Sequence, residues 1–197
     1  QYQTAIFEAV QNSRHNLAIS AVAGSGKTTT LVEISSRLPR NTKAVFLAFN
    51  KHIVSELQSK MQGVDCMTIH SLGMKACSAG YSKGKVRVDG WKYSDIVKDM
   101  LDDAQDVPLS VYGQFVKVVV ELVDKARLTL TNLGDQTARE EMTDHFGILS
   151  DLTEAAEKAE VSISYLEERA VKLAGKALRK GVRAYQERGQ IDFTDML

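Results

Sequence analysis

The stretch SAVAGSGKTTT, residues 20–30, constrains the fold more than any other part of the chain. It follows the spacing G-x-x-x-x-G-K-[ST], with Ala21 where the first glycine would stand and Gly24, Gly26, Lys27 and Thr28 after it. In front of it the run Leu17 to Ala21 is short and apolar, which suits a buried parallel strand; behind it Leu31, Ile34 and Leu38 recur at helical spacing until Pro39. Strand, glycine loop and helix in that order make a cradle in which successive backbone N–H groups converge on anionic oxygens where the helix macrodipole is positive. Gly24 and Gly26 stand where the backbone must approach the phosphates. Lys27 supplies a point charge for the terminal phosphates, and Thr28 a hydroxyl for Mg²⁺. Alanine at position 21 is small enough for the turn that leaves the strand.

The same alternation continues. Ala44 to Phe49 reads as a second strand, followed by a helix over 51–61 with Ile53, Val54, Leu57 and Met61 on one face. A weaker third cycle pairs Cys66 to Ile69 with a helix over 71–77. Strands and helices of this length alternating predict an α/β fold with a parallel sheet. Past Gly80 the pattern changes. Residues 81–91 read as a loop or hairpin rich in Gly and Lys, and nearly everything after Ser94 is helical: Ile96, Val97, Met100 and Leu101 make one apolar face, and Phe115, Val118, Val119, Leu122, Val123 and Ala126 a longer one. Thr137 with Glu140, and Ser164 with Glu167, fit capping boxes. The last helix is expected from about Tyr165 to Arg188, ending near Gly189.

Composition adds exclusions rather than a function. Lys plus Arg and Asp plus Glu are 25 each, so bulk charge points to neither nucleic acid nor membrane, and any such surface must come from local clustering. Two cysteines are too few for a disulfide framework, and no apolar run reaches the length of a membrane span; the expectation is a cytoplasmic protein without a membrane partner. Cys66, His70 and Cys77 lie close in sequence, but three ligands at irregular spacing fall short of a zinc site, and the cysteines read as small buried residues.

Five segments taken together resemble, in order and spacing, the superfamily 1 DNA helicases of the UvrD, Rep and PcrA type: QTAIFEAV (3–10), AVAGSGKTTT (21–30), FLAFNKHIVSEL (46–57), TIHSLG (68–73) and IDFTDML (191–197). The resemblance implies a P-loop ATPase of RecA-like fold, present in part, with a mainly helical subdomain inserted into it. The corresponding divisions are 1–80 for the ATPase lobe, 81–188 for the insertion and 189–197 for the return to the lobe. It implies ATP and Mg²⁺ as cofactors, bound through Gln3, Ala21, Val22, Ala23, Gly24, Ser25, Gly26, Lys27, Thr28 and Thr29, with Lys27 and Thr28 at the reacting phosphates. Gln3 would pair with the adenine edge, for which a side-chain amide offers both donor and acceptor. The resemblance further places single-stranded and forked DNA against Phe49, Asn50, Lys51, Thr68, His70 and Ser71. Phenylalanine can stack on a base while amide, ammonium and hydroxyl groups reach the backbone.

Two basic clusters leave alternatives open. Arg169, Lys172, Lys176, Arg179, Lys180 and Arg183 fall on one side of the last helix, either as its solvated face or as a track for a nucleic-acid backbone. Lys83, Lys85, Arg87 and Lys92, interleaved with Tyr81 and Trp91, are either a solvated loop or a duplex contact. Hydrolysis also needs an acidic residue at a strand end, and no apolar strand ending in Asp-Glu is found. The chain therefore resembles the front of a longer motor whose second ATPase lobe it lacks. By itself it is expected to bind nucleotide weakly or not at all and not to unwind DNA. A nucleotide-dependent DNA-binding module without hydrolysis and a P-loop kinase are the other readings.

Overall fold

The computed structural model describes residues 2–39, 41–61, 63–104 and 106–197. It is a mixed α/β structure, mostly helical, with two small parallel sheets of two strands each among the described residues. Two compact units divide within the fourth helix, one through Leu72 and one from Gly73 to Leu197.

In the first unit α1 (Tyr2–Asn12) and α2 (Lys27–Arg37) are followed by β1 (Val45–Ala48), α3 (Lys51–Gln58) and β2 (Asp65–Thr68), and α4 (Ile69–Gly80) begins there. β1 pairs with β2 in parallel, Val45 opposite Asp65 and Ala48 opposite Thr68. The helix between them turns its apolar stripe to the sheet: Leu57, Met61, Val64 and Cys66 are buried, with Leu31, Leu38, Phe46 and Val54 packed around them. The Gln58 side chain closes this βαβ unit by accepting the Cys66 N–H at 3.0 Å. Cys66 is thus the buried thiol its type suggests, whereas Cys77 in α4 is only partly buried.

The strand expected at 17–21 does not form. A strand exists through its ladder, and among the described residues no other strand pairs with this run. Leu17 and Ile19 remain 48% and 39% exposed.

The second unit is built on α5 (Lys92–Ala104), α6 (Leu109–Leu128), α7 (Gln136–Phe146), α8 (Ser150–Lys158) and α9 (Ile163–Arg188). Phe115, Val118, Val119, Leu122 and Val123 of α6 are fully buried, against Val97 and Leu101 of α5 and Leu166, Leu173 and Ala177 of α9. These are the apolar faces that the 3.6-residue period marks. α5 and α9 approach closely at Gly181, where an added Cβ would stand 2.2 Å from the Tyr93 hydroxyl oxygen.

Local chemistry shifts several expected boundaries. α7 is capped by Asp135, whose carboxylate accepts the Ala138 N–H at 3.2 Å, rather than by Thr137. α9 is capped by Ser162, accepting from Tyr165 at 3.4 Å, rather than by Ser164. It ends at Gly189 in the left-handed conformation (φ 64°), where the chain reverses at no steric penalty. Residues 81–91 are no hairpin: β3 (Arg87–Val88) pairs in parallel with β4 (Gln190–Ile191), about a hundred positions away, and a 3-10 turn over Thr194–Met196 follows. No helix among the described residues is long and apolar enough to cross a membrane.

Candidate functional site

Gly24 and Gly26 hold the glycine loop in its shape. Both are left-handed (φ 76° and 81°), a conformation that L side chains adopt only with strain, and no atom lies within 4 Å of where a Cβ on Gly24 would be. Gly26 is the N-cap residue of α2 and offers no side chain to its first turn, so the leading N–H groups at Lys27, Thr28 and Thr29 have no side-chain cap. Around them Ala21, Val22, Ala23, Gly24, Ser25, Lys27, Thr28 and Thr29 are all exposed. The Lys27 ammonium reaches back over the loop and donates to the carbonyls of Ala21 (2.9 Å) and Val22 (2.7 Å). A half-open cavity of about 1040 Å³ lies beside it, lined among others by Gln3, Ile6, Leu17, Ile19 and Leu31.

Uncapped helix-start amides, a lysine over the loop mouth and an open approach fit a polyphosphate. Thr28, in the first helical turn, is the residue that would hold a phosphate-bound Mg²⁺. Thr30 is a participant that the sequence pattern did not single out. Its buried hydroxyl accepts from the Gln3 amide at 3.2 Å and donates to the Gly26 carbonyl at 3.0 Å, so α1 is tied through one threonine to the loop. The Gln3 Nε2 group is engaged in that tie, which leaves Oε1 as the acceptor for a ligand.

The parallel register of β1 and β2 brings two further segments side by side. Ala48 lies opposite Thr68, so Phe49 to Lys51 and Ile69 to Ser71 leave the sheet together at its C-terminal edge. Phe49 is 90% exposed. Asn50 caps α3, its Oδ1 accepting the Ile53 N–H at 2.9 Å, and Lys51 is exposed in the first turn. Thr68 is buried, and its hydroxyl lies 2.8 Å from that of Ser71 while accepting the Ser71 N–H at 3.1 Å. Thr68 and Ser71 thus form the turn into α4, and His70 is exposed beside them.

In the second unit IDFTDM becomes part of an ionic knot. The Arg127 guanidinium donates to both carboxylate oxygens of Asp192 (2.6 Å each) and to Asp195 (2.6 Å), and the Lys92 ammonium donates to Asp195 at 2.7 Å. The two aspartates also accept each other's backbone N–H at 2.9 Å, and Thr194 donates to Asp124 at 2.6 Å. Burial alone would raise the Asp192 carboxyl, but the Arg127 hydrogen bonds, the Asp195 amide and the charges of Arg127 and Lys92 hold it below its ordinary value. Both cations also lie over the Tyr93 ring, whose hydroxyl burial pushes up to about 12. Lys92, 1% exposed, is therefore not part of an exposed basic loop. The basic side of α9 is likewise shorter than its sequence suggests, because Arg169 is paired with Asp106, and Lys172 with Glu168.

Comparison with known proteins agrees with the loop chemistry. No curated protein and no solved structure matches the chain. A family model described as an AAA domain matches residues 3–171, which takes in α1, the glycine loop, both strands of the first sheet and most of the helical unit. The chain belongs to this family of P-loop AAA-type domains, a kind of domain found in UvrD/Rep-like helicases.

Proposed function

We propose that this chain is an ATP-binding part of an ATP-dependent DNA helicase or translocase of superfamily 1. In this reading the glycine loop is the nucleotide site of a RecA-like lobe, and the helical unit is an insertion within it. The observation that carries the proposal is the loop geometry: two left-handed glycines leading into a helix start without a side-chain cap, with Lys27 folded over the mouth.

The backbone N–H groups from Gly24 to Thr29 would bind and orient the phosphates, and the Lys27 ammonium would exchange its two loop carbonyls for phosphate oxygens. The Thr28 hydroxyl would hold Mg²⁺, which when bound neutralises charge on the phosphates. Gln3 would meet adenine through Oε1 while its amide keeps α1 on Thr30. At the sheet edge Phe49 would stack on a base of single-stranded DNA. Lys51, His70 and the Asn50 amide hydrogens would meet phosphates, with Thr68 and Ser71 shaping the turn that presents them.

β1 runs into Phe49 and Asn50 and β2 into Ile69 and His70, so neither strand of the first unit supplies the strand-end acid that hydrolysis requires, and Asp192, which follows β4, is held by Arg127. The chain alone is accordingly expected to bind nucleotide weakly or not at all and to show no DNA-stimulated turnover. The test is titration calorimetry at millimolar ATP with Mg²⁺. Lys27→Ala should abolish the binding isotherm of the parent, and equal affinity in the two would overturn the assignment. For DNA, Phe49→Ala should weaken single-strand binding by roughly 1–3 kcal/mol, the usual value of a base stacked on an aromatic ring.

A further inference from the structure

We infer that the groove between α5 and α9 is a second binding site, one for the sugar–phosphate backbone of a nucleic acid, made by Lys176, Arg179, Lys180 and Arg183. These four exposed cations line a cavity of about 350 Å³ together with Arg169 and a single carboxylate, Asp103. Their spacing of i, i+3, i+4 and i+7 puts them on one face of α9.

Three exposed cations elsewhere pair with an acid four positions earlier, Arg37 with Glu33, Lys60 with Glu56 and Lys172 with Glu168, while others, Lys51 and Lys98 among them, stand singly; what sets this face apart is that its unpaired cations are clustered. Among the described residues none of the four groove cations has a carboxylate within ion-pair distance. Instead Lys176 and Lys180, and Arg179 and Arg183, are like-charged i,i+4 neighbours, an arrangement that destabilises the helix. In a chain whose charges balance at 25 of each sign, this concentration costs stability that a bound polyanion restores.

The chemistry favours nucleic acid over an acidic protein. Protein interfaces are centred on apolar anchors, whereas Met100 and Leu173, the larger apolar side chains lining this groove, are already buried in the unit's own core. A helix rises 1.5 Å per residue, so the four cations extend over roughly 10 Å, about three phosphates of one strand at about 3.4 Å each along the axis. The inference shares with the proposed function the premise of a nucleic-acid partner but none of its residues.

The test uses the full chain without nucleotide, titrated at several salt concentrations with duplex and with single-stranded oligonucleotides. Combining Lys176→Gln, Arg179→Gln, Lys180→Gln and Arg183→Gln should lower the slope of log affinity against log salt by about 0.9 per lost contact on duplex or about 0.7 on single strand. The arm that falls identifies the form bound. The variant's unfolding temperature should hold or rise, since like charges are removed. Asp103→Asn, which leaves the cations in place, should tighten binding a few-fold. Unchanged slopes in both arms, or no tightening with Asp103→Asn, would overturn the inference, as would poly-glutamate bound as tightly as DNA and lost in the same variant. Lys51→Ala and His70→Ala tested in parallel report on the sheet edge separately, so either site can fail while the other stands.

Discussion

At the residue scale, the glycine loop was legible because its chemistry is local. The spacing of Gly24, Gly26, Lys27 and Thr28 is itself the requirement, and the two glycines take the left-handed backbone that such a turn needs. Gly26→Ala should cost about 1–2 kcal/mol of strain at φ 81° and weaken nucleotide binding, read by chemical denaturation and calorimetry together. Thr30 was not legible: three threonines follow Lys27, and only the tertiary approach of α1 selects the one that meets Gln3, 27 positions away. Lys92 misled for the same reason, because its partner Asp195 lies 103 positions on. Lys92→Met removes the cation from a buried pair and should destabilise the second unit by about 3 kcal/mol, visible as a lower denaturation midpoint. The knot also sets an acid limit. The folded-state value of Asp192 lies below that of the unfolded chain, so its stabilisation is present above about pH 4 and is lost as pH falls through the folded value. Unfolding temperature measured against pH should fall on that side, and Asp192→Asn should flatten the fall.

At the element scale, long periodic helices were read well and short strands poorly. The α6 face from Phe115 to Ala126 carries its own signal over three turns, and the structure buries all six of its apolar residues. β3 and β4 have two residues each, too few for any periodicity, and they exist because Gly189 turns the end of α9 back alongside Arg87. The run at 17–21 has strand composition but no ladder, which only the pairing of other segments decides. The capping boxes failed by competition: Asp135 and Ser162 stand two residues earlier than Thr137 and Ser164, and the earlier oxygen captures the helix start. Helix–helix approach makes its own demand at Gly181. Gly181→Ala would drive a methyl into the Tyr93 ring and should cost about 1–3 kcal/mol by overpacking, measurable as a lower thermal midpoint.

At the scale of the whole molecule, the two units differ in how much they bury. The helical unit has a continuous core from α5 to α9, whereas the first unit rests on a small cluster around Leu57 and Cys66 with an open cavity beside the loop. Composition and net charge carried nothing of this, since neutral totals conceal both the ionic knot and the bare cations of α9. Ligand should therefore act on one unit only: ATP with Mg²⁺ at a hundred times its dissociation constant adds about 2.7 kcal/mol to the unit that binds it. The most direct measurement is a residue-resolved amide NMR titration of the full chain with millimolar ATP and Mg²⁺. The expected result is saturable movement of the Gly24, Gly26, Lys27 and Thr28 amides in the parent and none in Lys27→Ala. Amides of the loop that stay still while others move, or movement that survives Lys27→Ala unchanged, would contradict a triphosphate site at this helix start.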